Sequence, residues 1–136
     1  MGRLKSASKC LGDAEDALRA GTLAARFLPQ AEAALLYRRV AARFGQAPGY
    51  VWELPGFADA AQDAAARELM DAAGSGLYVM FLDLTDERVL RIEKRDFGRF
   101  LKDIAYPTEE TYLVTEDISR VYCRNHHGQV KFARIG

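Results

Sequence analysis

The sequence predicts an α+β fold, with N-terminal helices packed on a small, mainly antiparallel C-terminal sheet and one short helix inserted among the strands. Two observations predict it. Of the 22 alanines, 20 precede Gly74 and only Ala105 and Ala133 follow it. The apolar spacing changes at the same place, from three and four residues before the seam to strand-like runs after it, one continuous over Leu77 to Leu84 apart from Asp83 and one alternating over Arg88 to Lys94. Gly74-Ser75-Gly76 marks the junction between a helical half, 1–74, and a β-rich half, 77–136. Neither half alone offers a convincing core, so residues 1–136 read as one domain.

Each element follows from its pattern. Leu11, Ala14, Leu18, Ala25 and Leu28 share a helical face, which predicts a first helix over 11–28 weakened by Gly21-Thr22. Pro29 suits the first turn of a second helix, about 30–44, whose Ala33, Leu36, Tyr37, Val40 and Phe44 align, with Gly45 as its C-cap. Residues 47–57 read as an aromatic loop punctuated by proline and glycine. A third helix, about 58–73, opens with Asp59 and Asp63 near the positive helix end and buries Ala61, Ala65 and Leu69. Alanine-faced helices bury little area, so they need docking onto something larger. The apolar run from Leu77 to Leu84 supplies it, as a central strand covered on both faces. Arg88 to Lys94 alternates, with Leu90 and Ile92 opposite Arg91 and Glu93. Asp96 is an expected N-cap for a short helix that gathers Phe97, Phe100, Leu101 and Ile104. Thr111–Thr115 is a strand, and 118–124 with 129–135 form a hairpin around Asn125-His126-His127-Gly128.

The net charge is zero, yet the charges are segregated. Residues 1–52 carry +4, 53–87 carry −7, 88–105 carry +3, 106–117 carry −4 and 118–136 carry +4. Such blocks steer partners without specifying a fold. There is no bilayer-length apolar run and no secretory h-region, and two cysteines cannot make a disulfide framework, which points to a cytoplasmic setting.

The search for chemistry is thin. Cys123-x-x-His126 with His127 is half of a zinc site, and no second pair completes it, so neither a metal nor a cofactor is expected. Cys123, His126 or His127 and Asp117 make a thiol triad only on paper, because strand alternation spreads their side chains. Asp83 interrupts an apolar run, where a carboxylate must be paired or shifted, and it also sits beside a polar turn that it can cap. No phosphate loop, nucleophile elbow or zincin motif is present. A small enzyme of unspecified reaction therefore remains only as an alternative.

Two binding surfaces are more suggestive. Arg120, Tyr122 and Arg124 share a strand face, with Lys131 and Arg134 on the hairpin partner; basic groups around an aromatic suit nucleic acid. Their alternative is pairing with the chain's own acidic segments. Tyr50 and Trp52 stand in a proline-stiffened loop beside Glu53, Asp59, Asp63, Glu68 and Asp71. Aromatic anchors beside an acidic face suit a basic protein partner, and truncating Trp52 to alanine is then expected to weaken binding by about 2 kcal/mol or more.

In layout, a short cofactor-free α+β chain with charge blocks and no enzyme signature, the sequence resembles small bacterial toxin-immunity proteins, including those of contact-dependent growth inhibition systems. The resemblance implies a protein-binding inhibitor that occludes a cognate toxin, often a nuclease with a basic active site. It transfers no site residue. A nucleic-acid-associated module using the basic hairpin is the alternative.

Overall fold

The computed structural model describes residues 7–44, 58–81, 87–102, 111–124 and 130–134. In chain order they form α1 (Ala7–Ala20), β1 (Ala25–Phe27), α2 (Gln30–Phe44), β2 (Ala58–Asp59), α3 (Gln62–Ala72), β3 (Gly76–Phe81), β4 (Arg88–Glu93), α4 (Lys94–Phe100), β5 (Thr111–Thr115), β6 (Arg120–Arg124) and β7 (Val130–Arg134). All seven strands join one sheet in the order β1-β4-β3-β5-β6-β7-β2. Every neighbouring pair is antiparallel. The fold is α+β, as the sequence predicts, with two short edge strands drawn from the helical half.

The first helix is shorter than its periodicity predicts. It ends at Ala20, and Gly21 takes φ +71°. The Gly21 N–H donates to the Leu18 carbonyl and the Thr22 N–H to the Ala17 carbonyl, the paired bonds of a Schellman cap. The glycine is thus a terminator, not a weak point inside a longer helix. Ala25–Phe27 leaves the helix to pair with Leu90–Ile92. The third helix is also shorter, because Ala58 and Asp59 pair with Phe132 and Lys131 before it begins, and Ala61 is exposed. Ala65 and Leu69 are buried as expected.

Sheet alternation separates two cores. On one face Leu77, Val79, Phe81, Leu90, Ile92, Leu113, Tyr122 and Phe132 meet Cys10 and Ala14 of α1, Ala65 and Leu69 of α3, and Phe97 and Phe100 of α4. On the other, Met80, Val89, Tyr112, Val114, Val121 and Cys123 meet Ala33, Leu36 and Val40 of α2. The molecule is therefore three layers deep, and the interior strands β3 and β5 are almost wholly buried.

Asp96 does not cap α4. That helix starts at Lys94 with no side-chain cap. Asp96 instead accepts the Ala24 N–H at 2.7 Å and ties the end of the α1 segment to α4. The bond holds its carboxyl below the usual carboxylate range, with Arg99 and Arg95 adding to the effect.

At the start of β3 the backbone is crowded. A Cβ on Gly76 would lie 2.7 Å from both the Arg91 Cζ and the Ile92 carbonyl oxygen. The carbonyl belongs to a ladder strand and cannot swing away. Gly76→Ala is expected to cost about 1–3 kcal/mol, as overpacking does. Urea unfolding reads this directly, and a loss under about 0.5 kcal/mol would contradict the crowding.

Candidate functional site

The acidic and basic segments singled out by the sequence meet each other. Glu68 of α3 accepts from the Arg120 Nε at 2.8 Å and from the Arg134 Nε and Nη2 at 2.5 Å each. Register explains the convergence. Arg120 stands directly opposite Arg134 across β6 and β7, and α3 lies over this face. The Arg134 bond, followed by that of Arg120, holds the Glu68 carboxyl below its usual range. Asp59 and Lys131 are direct cross-strand partners and form an ion pair at 2.5 Å.

This seam reduces both binding surfaces expected from the sequence. Tyr122 is only 4% exposed and packs in the core under the helices, so it offers no open stacking face. Lys131 pairs with Cys123 in register and therefore points to the sheet face opposite Arg120 and Tyr122. The Arg124 backbone closes β6, while its side chain lies outside the described residues. On the acidic side, Asp59 and Glu68 are engaged. Asp63 and Asp71 are exposed on α3, with Arg67 one turn from each. Tyr50, Trp52 and Glu53 lie outside the described residues, as do Asp83, His126 and His127. Cys123 is buried. Among the described residues no group of three metal-ligating side chains forms, and no helix is long and apolar enough to cross a membrane.

A charge-assisted seam has a pH signature. A carboxyl whose folded-state pKa is depressed adds stability above its unfolded value, and that stability is lost as pH falls through the folded value. Glu68, Asp96 and Asp117 all act in this direction. Glu68→Gln is expected to flatten the acid limb of the melting temperature below about pH 4.3 while leaving the two proteins alike at the lowest pH. Parallel acid limbs would show that Glu68 is not held by the hairpin.

The least compensated charge lies on α2. The Pro29 carbonyl accepts the Ala33 N–H at 3.0 Å and opens the helix. Ala33, Leu36 and Val40 recur at three and four residues and bury one side. Tyr37 anchors the helix by donating to the Phe81 carbonyl at 2.5 Å, with the Arg88 carbonyl at 3.3 Å. Burial pushes its phenol pKa up, so the donor stays protonated. The opposite side carries Glu32, Leu35, Arg38, Arg39 and Arg43, all exposed. Arg38, Arg39 and Arg43 make no ion pair with the described residues. Arg26 of β1 adds a fourth exposed cation on the same side of the sheet, directly opposite Arg91, which in turn faces Tyr78. Arg91 itself is neutralised by Glu116 and Glu93, each at 3.1 Å.

Beside Arg39 runs a groove of about 190 Å³, lined also by Leu28, Glu32, Leu35, Leu36 and Tyr78. Leu35 is 49% exposed, the one large hydrophobic so placed among the described residues. A second, wider cleft of about 390 Å³ lies between Gln62 and Asp63 of α3 and Gly98 of α4 with Leu101 and Lys102 just beyond it. It is mixed in charge and gathers no convergent set of reactive groups.

The arginine face escaped the sequence reading, although its signal was present as the +4 charge of residues 1–52. What the charge count lacked was the pairing: Lys9, Arg19 and Arg88 are bound to Asp13, Asp16 and Glu15, and the α2 arginines are not. In comparisons with known proteins, no family model matches the chain, and no curated protein or solved structure matches it.

Proposed function

We propose that this protein acts by binding another protein non-covalently, as an inhibitor of the toxin-immunity kind, and that α2 with β1 presents its contact surface. One observation carries the reading. Arg38, Arg39 and Arg43 are exposed and unpaired by the described residues, whereas Arg120, Lys131 and Arg134 are all clasped by the chain's own carboxylates. Arginine is favoured at interfaces because its planar fork binds carboxylates bidentately and its stem packs against apolar surface. Exposed Leu35 beside it supplies an apolar centre of the kind interfaces bury. A partner with a basic active site, as the resemblance to immunity proteins implies, would have to use Asp63, Asp71 and the segment before β2 instead. That arrangement keeps fewer free charges among the described residues.

The test is co-purification of the tagged protein from its native host at low and moderate salt. A single stoichiometric protein, released as salt rises, is the expected result. Recovery of nucleic acid in its place, or of no stoichiometric partner at either salt, would overturn the reading.

A further inference from the structure

The charges and the groove on α2 have an order along the helix axis, and that order describes what fits them. Glu32 stands at one end, Leu35 one turn further, Arg38 and Arg39 a turn beyond it, and Arg43 at the far end. At 1.5 Å per residue, Glu32 and Arg43 are separated by about 16 Å along the axis. Along the N-terminal half of this row runs the groove, lined by Leu28, Glu32, Leu35, buried Leu36, Arg39 and half-buried Tyr78. At about 190 Å³ it is smaller than the roughly 300–1,000 Å³ of pockets that enclose small ligands. It is suited to one side chain of a larger partner.

We propose that this face docks an acidic protein segment that inserts one large apolar side chain into the groove, places two or more carboxylates against Arg38, Arg39 and Arg43, and sets a cation against Glu32. This inference rests on the protein-binding reading above and specifies the partner's chemistry. Charge complementarity carries it: three guanidinium groups at one end, without an ion pair among the described residues, call for carboxylates, and a carboxylate at the other, likewise without an ion pair among them, calls for a cation. Nucleic acid meets the arginines equally well, but the remaining groups oppose it. Glu32 repels a phosphate backbone, and Leu28, Leu35 and Leu36 make the lining mostly aliphatic, with Tyr78 its one aromatic and half-buried. A segment spanning about 16 Å is about eleven residues of helix or about five of extended chain, a common size for helix-in-groove or strand recognition.

The test uses a phage-displayed library of random twelve-residue peptides, selected on the whole protein and, in parallel, on an Arg38→Gln, Arg39→Gln, Arg43→Gln variant. Circular dichroism serves as the check that the variant folds. The expected result is enrichment of peptides with two or more Asp or Glu on one side of a Leu, Ile, Met or Phe and a Lys or Arg on the other. Their synthetic forms should bind the variant at least tenfold more weakly, and Leu35→Ser should weaken them at least threefold. Acidic peptides that depend on the arginines but not on Leu35 or an apolar residue would overturn the docking mode and leave the binding face standing. No arginine-dependent peptide would overturn both. A twenty-nucleotide single strand that binds more tightly than any selected peptide, and independently of Leu35, would replace the protein segment with nucleic acid.

Discussion

Phe97→Ala is expected to cost about 3–5 kcal/mol of folding stability, a large part of what a domain of this size possesses. Phe97 is fully buried among Leu77, Val79, Leu90, Ile92 and Phe100. It sits on a helix of seven residues, too short to be stable without docking. The ring therefore holds α4 against β3 and β4, and the Asp96 bond to the Ala24 N–H carries that order to the end of the α1 segment. Removing the ring leaves a cavity beside the β3 and β4 ladders, which resist collapse. Urea unfolding measures the loss, and the slope of the transition should be unchanged if the native state stays compact. A cost below about 1 kcal/mol would mean that α4 is peripheral to the core.

The second large effect concerns binding. Replacing Arg38, Arg39 and Arg43 by glutamine keeps helix propensity close to that of arginine and removes three charges that hold no partner among the described residues. The expected change in folding stability is within about 0.5 kcal/mol per site, the usual range for surface substitutions. The expected change in affinity for an acidic partner is a loss of at least about 3 kcal/mol, since each close charge pair across an interface couples by about 1.5 kcal/mol or more. This separation of folding from binding distinguishes the α2 arginines from Arg120 and Arg134, whose replacement releases Glu68 and loosens α3 from the hairpin.

Much of the fold was legible where local chemistry and tertiary outcome agree. The second helix matched its periodicity at both ends, because Pro29 fixes its start and three buried positions recur at helical spacing. Thr111–Thr115 and the β6–β7 hairpin followed from β-branched runs and a turn sequence. Misreadings arose where a residue has two local meanings. Gly21 is either a weak helical position or a terminator, and the choice depends on whether Ala25–Phe27 has a strand to pair with. Asp96 satisfies the N-cap rule, yet its partner is 72 residues away along the chain. Periodicity was equally silent on which sheet face each helix covers, since α2 alone occupies the side opposite α1, α3 and α4.

The candidate site was less legible than the fold for a related reason. Charge blocks can be counted in a sequence, but which charges remain unpaired is decided by register and helix placement. The pairing of Arg120 with Arg134 across the hairpin brings both onto Glu68. The two-residue strand β2 sets Asp59 on Lys131. After these pairings the arginines of α2 are among the charges left facing outward.

The most direct measurement is the dissociation constant of the co-purified partner for the parent protein, the Arg38→Gln, Arg39→Gln, Arg43→Gln variant and an Asp63→Lys, Asp71→Lys variant, by isothermal titration calorimetry. The α2 face as the contact surface predicts a weakening of about 100-fold or more for the arginine variant, the counterpart of the 3 kcal/mol loss, and less than about threefold for the aspartate variant. The reverse order, with the aspartates decisive and the arginines indifferent, would contradict it and return the contact to the acidic segment around α3.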